Sequence, residues 1–144
     1  MTTHQITIVK ESFEKLKPIA QQAGELFYKN LFAAAPEARH MFKGDINQQA
    51  GKLMYTLSYV VSHLHKLDTI ISDVQKLAVR HNQYGAQPAH YDLVGSTLLV
   101  TLEQGLGEGW NEELKEAWAT AYGILADAMI AAQMETQVTT SVAA

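Results

Sequence analysis

The chain has 144 residues, 47% of them hydrophobic and 18% charged, with a formal net charge of −4. This length and composition are typical of one globular domain whose core can enclose a small-molecule cavity, and the negative charge without a basic stripe argues against a nucleic-acid partner. The absence of cysteine excludes a disulfide framework, thiolate metal sites and a cysteine nucleophile. With no signal peptide and no long apolar run, we expect a cytoplasmic protein that does not span a membrane.

Helical periodicity runs along the whole sequence, and strand signals are weak. The first helix begins at a cap formed by Thr2 or Thr3, with Gln5 completing a capping box, and ends near Pro18. Six further helices are expected: a short one that begins at Pro36 and ends before Phe42, and five over residues 19–35, 46–67, 69–84, 88–106 and 110–134. The sequence therefore predicts one all-α domain over residues 1–135 with about seven to eight helices, followed by a frayed polar tail at 136–144.

Four polar side chains fall on the predicted core faces of four different helices. His81 follows an apolar stripe at helical spacing, composed of Val74, Leu77 and Ala78. Gln49, Tyr91 and Tyr28 lie within similar stripes. Each alone has an ordinary explanation, since buried polar groups usually find partners inside a core and Gln49 could reach water at the edge of its stripe. Together they indicate an apolar cavity that holds a ligand with a polar centre.

His81 is the only one of the six histidines that lies clearly on such a stripe. A single imidazole cannot hold bare zinc or iron tightly, because such sites need three or four protein ligands. It can hold an iron whose equatorial positions are filled by a macrocycle, which points to haem. The alternative from another class is a helical interaction domain without a cofactor, which would purify as a colourless protein.

The chain resembles bacterial single-domain haemoglobins and the globin half of flavohaemoglobins in four stretches: LFYKNLFAAAPEARHMF (26–42), NQQAGKLM (47–54), RHNQYGAQPAHYDLVGSTLL (80–99) and AWATAYGILAD (117–127). The resemblance implies a globin fold that encloses haem b. The segment GLGEG at 105–109 is not a dinucleotide loop, since no strand precedes it. No flavin or nicotinamide domain follows in the sequence, so we expect any reductase to be a separate protein.

The resemblance also implies a set of site residues. His81 would be the proximal iron ligand, its second nitrogen bonded to the carbonyl of Leu77, one turn back. Tyr28 and Gln49 would be the catalytic pair that meets the gas on the distal side. The other expected cofactor contacts are Phe42 stacked on the haem face, Leu53 and Leu57 in the distal wall, Tyr91 beneath the histidine, Val94, and Arg80 near a propionate. For Arg80 an exposed, solvated position is the alternative.

Two further features follow from the same resemblance. Gly24 and Ala50 would be the small pair that lets the second and the long helix cross closely. Flavohaemoglobins complete the proximal side with a glutamate in the last helix, whereas this chain has Gln133 at the matching position. A neutral amide would send less electron density to the iron, which makes peroxidase-like or dioxygenase chemistry less favourable than gas binding.

The expected function is reversible binding of dioxygen, nitric oxide and carbon monoxide, for oxygen storage or transport. Conversion of nitric oxide to nitrate, a form of nitric oxide detoxification that depends on a reductase, competes with it. A haem-based gas sensor and an electron-transfer protein are the remaining haem alternatives.

Overall fold

The computed structural model describes the backbone of residues 1–42, 44–83 and 88–143, and the side chains of 1–42, 44–81 and 89–134. Within these residues the chain is helical and contains no strand, which confirms the all-α class. The α-helices are α1 (Thr3–Leu16), α2 (Ala20–Ala34), α3 (Ile46–Ser62), α4 (Ile71–Gln83), α5 (Pro88–Leu106) and α6 (Glu112–Ala143). Four short 3-10 helices cover Lys17–Ile19, Pro36–Met41, Leu64–Ile70 and Gly107–Gly109.

The expected count of seven to eight helices is slightly too high for the described residues, which contain six α-helices, and one of these is shorter than expected. The short third helix is the 3-10 segment Pro36–Met41. The long helix ends at Ser62, because the side chains of Ser62 and His63 contact the carbonyl oxygen of Tyr59 at 2.9 and 2.8 Å. They compete for the carbonyl that would accept the N–H of His63 in a continued α-helix, and that N–H turns to Val60 instead.

The other helix ends agree more closely with the sequence. Thr2 caps α1, and Gln5 completes the capping box as expected. Asp45 caps α3, its carboxylate accepting from the N–H of Asn47. The backbone of α6 continues to Ala143, beyond the expected end near Met134. The side chains of 135–143 lie outside the described residues, so the frayed tail stays a prediction.

A close crossing of α2 over α3 sets up one side of the candidate site. A Cβ atom added to Gly24 would lie only 2.6 Å from the carbonyl oxygen of Ala50, so no larger residue fits without moving a helix backbone. This confirms the expected small pair. Tyr28 lies one turn after Gly24, and Gln49 directly precedes Ala50, so the crossing brings these two polar side chains to the same place.

Buried hydrogen bonds tie the remaining helices together. The indole N–H of Trp118 in α6 donates to the hydroxyl of Ser12 in α1 at 2.9 Å, and Asn30 in α2 donates to Thr101 in α5 at 3.1 Å. Among the described residues, every buried side-chain nitrogen or oxygen atom has a partner. No helix in the described part of the chain is long and apolar enough to cross a membrane.

Candidate functional site

His81 lies in the last turns of α4, half-buried. Its Nδ1 atom is 2.9 Å from the carbonyl oxygen of Leu77, as the sequence predicted. Burial lowers the pKa of His81, and the positive charge of Arg80 acts in the same direction. The neutral imidazole is therefore favoured, with its proton on Nδ1 donated to Leu77. This tautomer places the lone pair on Nε2, which is the form that binds a metal.

A tyrosine lies next to this imidazole, and a glutamine binds the hydroxyl of that tyrosine. The rings of His81 and Tyr91 are stacked, with centroids 6.4 Å apart and planes at 27°. The buried hydroxyl of Tyr91 donates to Oε1 of Gln133 at 2.7 Å, which joins α5 to α6. The residue that the sequence analysis identified in place of a glutamate is thus the partner of Tyr91, and its amide oxygen brings no full negative charge to this side of the site.

Tyr28 occupies the other group of polar residues, where α2 crosses α3. Its side chain is only 5% exposed, and burial raises the pKa of Tyr28 to about 12. The half-buried Gln49 lies beside the phenol and lowers this pKa, as an amide N–H does when it faces a phenol oxygen. The phenol therefore stays protonated at neutral pH, and its own O–H remains a donor.

Aromatic rings enclose Tyr28. Phe42, at the end of the 3-10 segment, meets the ring of Tyr28 edge-on at 5.2 Å, and Phe27 does so at 5.1 Å. Phe32 completes the cluster, 5.7 Å from Phe42 and 5.9 Å from Tyr28. Phe32 lies one turn after Tyr28 and so shares its face of α2, but it was not among the expected site residues. The cluster makes this part of the site apolar, which strengthens any hydrogen bond made inside it.

The remaining predicted contacts differ in their surroundings. Leu53, Leu57 and Val94 are half-buried and pack against the core. Leu53 and Leu57 also line a small apolar cavity between α2, α3 and α5. Arg80 is exposed on α4, which agrees with the exposed, solvated position given above as the alternative. A contact between Arg80 and a haem propionate stays a prediction.

Sequence reasoning missed Tyr122. Its hydroxyl donates to the carbonyl oxygen of Tyr91 at 2.6 Å, and its ring lies against Gly95. A signal was present in the sequence, because Tyr122 and Gln133 are eleven residues, or about three helical turns, apart and so share a face of α6. Which residues of α5 these two side chains contact depends on how α5 packs against α6. The periodicity of α6 alone does not predict that packing.

The donor set suits a metal that brings most of its own ligands. Among the residues whose side chains the structure describes, no group of three or more histidines, aspartates and glutamates could hold a bare metal ion. His81 supplies one neutral imidazole, while Tyr28 and Gln49 supply donors within an aromatic wall. These residues fit haem, whose porphyrin fills four iron positions and leaves two for an imidazole and a gas.

Comparison with known proteins agrees with this chemistry. The Globin family model matches residues 25–129. Flavohemoproteins from Deinococcus radiodurans and Vibrio cholerae are 34% and 29% identical over 134 and 133 residues, in each case 90% of this chain. A bacterial globin from Campylobacter jejuni superposes with a TM-score of 0.85 at 27% identity, covering 94% of this chain and 99% of that structure.

The match to the flavohemoproteins covers only part of those proteins. This chain spans 33% of the Deinococcus protein and 34% of the Vibrio protein, about a third of each. The comparison therefore describes the helical domain that the chain shares with them.

Proposed function

Because the chain belongs to the globin family, whose members bind haem, we propose that it holds haem b through His81 and binds dioxygen reversibly. Nitric oxide and carbon monoxide are further expected ligands. The iron of haem, when bound, supplies a position for one diatomic gas, and dioxygen held there can react with nitric oxide to give nitrate at the cost of one electron from a reductase. The chain's own residues decide how tightly the gas is held.

On the proximal side, the hydrogen bond from His81 to Leu77 fixes the tautomer and the orientation of the imidazole. Tyr91 supports the ring by stacking, and Gln133 holds the hydroxyl of Tyr91. The carbonyl of Leu77, the phenol of Tyr91 and the amide of Gln133 are all neutral groups. Because an anionic acceptor would raise the basicity of the imidazole and a neutral one does so less, this arrangement favours gas binding over oxidative chemistry.

On the distal side, Tyr28 and Gln49 form a pair of hydrogen-bond donors. The observation that carries the proposal is the burial of the Tyr28 phenol, 5% exposed, in an aromatic cluster beside Gln49. Because burial keeps the phenol protonated at neutral pH, the O–H of Tyr28 is a donor that can turn toward a polar ligand in the pocket. With haem in place, Tyr28 and Gln49 would be preorganised donors that stabilise partial negative charge on a gas held in this apolar site.

Conversion of nitric oxide to nitrate is the second candidate. The name of the flavohemoproteins pairs a flavin with a haem, which supports a flavin-containing reductase as the partner of this domain. The neutral Gln133 argues for gas binding as the main activity, because its amide oxygen, which accepts from Tyr91, brings no full negative charge to that contact.

An experiment that separates the two uses the haem-loaded chain with dioxygen, nitric oxide and a flavin-dependent reductase. If gas binding is the main function, one equivalent of nitric oxide per haem should be consumed. Nitric oxide consumption should then slow to the rate measured with the reductase in the absence of the haem-loaded chain. Sustained consumption over many turnovers with stoichiometric nitrate would assign nitric oxide conversion instead. A chain that takes up no haem would overturn both candidates.

A further inference from the structure

Arg39 is a charged residue at the edge of the aromatic cluster around Tyr28. It lies in the 3-10 segment Pro36–Met41, and its side chain is exposed. The segment ends at Phe42, whose backbone has left the helical conformation, with φ −115° and ψ 103°. Because the hydrogen bonds of a 3-10 helix have poorer geometry than those of an α-helix, the position of Phe42 depends on what else holds it.

Both polar groups of the Phe42 backbone are bonded to Arg39. The N–H of Phe42 donates to the carbonyl oxygen of Arg39 at 3.2 Å, and Nη1 of Arg39 donates to the carbonyl oxygen of Phe42 at 2.5 Å. Carbonyl groups at the end of a helix have no partner inside it, so a side chain that bonds one of them fixes the chain at that point. Arg39 therefore holds the backbone of Phe42 from two sides.

The same guanidinium lies over the ring of Phe32. Its Cζ atom is 5.6 Å from the ring centroid, a distance at which a cation and an aromatic face attract each other. The ring of Phe32 packs against the rings of Phe42 and Tyr28, at 5.7 and 5.9 Å. Arg39 thus holds Phe42 by its backbone and also by the ring beside it. A lysine has no planar fork with which to make both contacts at once.

These contacts affect the surroundings of the Tyr28 phenol. The ring of Phe42 meets the ring of Tyr28 edge-on at 5.2 Å and forms one wall of the aromatic enclosure. A hydrogen bond is stronger in an apolar enclosure than in contact with water. Release of the Phe42 backbone would open this wall, and water would then compete for the O–H of Tyr28.

We propose that Arg39 is a positioning residue that clamps Phe42 and Phe32 around Tyr28 and thereby lengthens the time for which the gas is held. This inference rests on the proposed function, in which Tyr28 donates to a gas held at haem. Arg39 acts through the two phenylalanines and supplies no group to the gas itself.

The first test measures the ring positions by proton NMR of the haem-loaded chain under carbon monoxide. Nuclear Overhauser contacts between the rings of Phe42 and Tyr28 report how close the two rings lie. We expect these contacts in the wild type, and we expect Arg39→Met to weaken them, because methionine keeps a long side chain but has no donor and no charge. Contacts of unchanged strength in Arg39→Met would overturn the proposal.

The second test measures the dissociation rate of dioxygen by stopped flow. Arg39→Met should raise this rate about two- to fivefold, because the hydrogen bond from Tyr28 is weakened and not removed. In the Tyr28→Phe background the same substitution should add nothing, since the hydroxyl that the enclosure protects is gone. An unchanged rate in Arg39→Met, or an equal rise in both backgrounds, which a merely structural effect would give, would overturn the clamp.

Two further variants separate contact from charge. Lys29→Met is the matched control, because it also removes an exposed positive charge, directly after Tyr28 in α2, but leaves the contacts of Phe42 in place. It must leave the ring contacts and the rate unchanged. Arg39→Lys keeps the charge and loses the fork, so it should change both readouts in the same direction as Arg39→Met, and it replaces that variant if Arg39→Met does not fold. Wild-type behaviour of Arg39→Lys would assign the effect to charge and overturn the clamp.

The rates also separate this inference from the proposed function. If Tyr28→Phe releases dioxygen at the wild-type rate, the distal assignment fails and this inference fails with it. When Tyr28→Phe releases dioxygen faster than the wild type, the results for Arg39→Met decide on the positioning role alone.

Discussion

At the scale of residues, the protonated phenol of Tyr28 in its aromatic enclosure is the group that we propose meets a bound gas. Periodicity placed Tyr28, Gln49, Tyr91 and His81 on core faces, and the structure buries or half-buries all four. Periodicity did not give their pairings. Tyr28 meets Gln49, and Tyr91 meets Gln133, only because helices distant in sequence cross at these points, and a crossing depends on the packing of both partners.

Loss of the Tyr28 hydroxyl should speed the release of dioxygen. A hydrogen bond to the bound gas contributes about 1 kcal/mol, so Tyr28→Phe should raise the dissociation rate about five- to tenfold. Stopped-flow displacement of dioxygen by carbon monoxide measures this rate. Carbon monoxide, which is less polar when bound, should be released at a nearly unchanged rate. Tyr55→Phe is the control, since Tyr55 is 76% exposed. An unchanged dioxygen rate in Tyr28→Phe would remove the distal assignment.

The same phenol should make stability fall at alkaline pH. Its pKa is about 12 in the folded chain, against about 10 for an unfolded tyrosine, so the folded state binds the proton more tightly. The contribution of Tyr28 is therefore complete below about pH 10 and is lost as the pH rises toward the folded pKa. Urea unfolding at pH 9 and pH 11 should show a larger loss of stability for wild type than for Tyr28→Phe. Equal losses in the two proteins would contradict the burial of this hydroxyl.

At the scale of elements, the crossing of α2 over α3 brings together Tyr28 and Gln49, the proposed distal donors. The sequence predicted this crossing from a resemblance that pairs Gly24 with Ala50, and the structure confirms it. The end of α3 at Ser62 was not predicted, because the apolar stripe continues beyond it. The side chains of Ser62 and His63 end the helix by competing for a backbone carbonyl, which a hydrophobic pattern does not record.

A methyl group at the crossing should separate the two helices. In Gly24→Ala the new Cβ would lie 2.6 Å from a backbone oxygen of Ala50, which cannot move without shifting α3. We expect a loss of about 1–3 kcal/mol in the free energy of unfolding. Gly123→Ala in α6 is the matched control: no atom lies within 4 Å of its new Cβ, and removal of a helical glycine should stabilise by about 0.5–1 kcal/mol. Urea unfolding curves that place the two variants on the same side of wild type would contradict this account.

At the scale of the whole molecule, the fold class followed from periodicity and the family from four stretches of sequence. What periodicity overestimated was the number of α-helices, since short connecting segments such as Pro36–Met41 form 3-10 turns that share the same apolar spacing over a few residues. Periodicity could not predict the hydrogen bonds between α6 and α5. The apolar face of a helix indicates which residues are buried, but it does not indicate which residues of another helix they contact.

The central claim is that a single imidazole secures the cofactor, and absorption spectra of the purified chain and His81→Ala test it most directly. His63→Ala is the control, since Nδ1 of His63 also contacts a carbonyl one turn back, at 2.8 Å from Tyr59. The account predicts a red wild type, a red His63→Ala with the same Soret band, and a His81→Ala that lacks haem or shows a displaced Soret band. An unaltered Soret band in His81→Ala would contradict it.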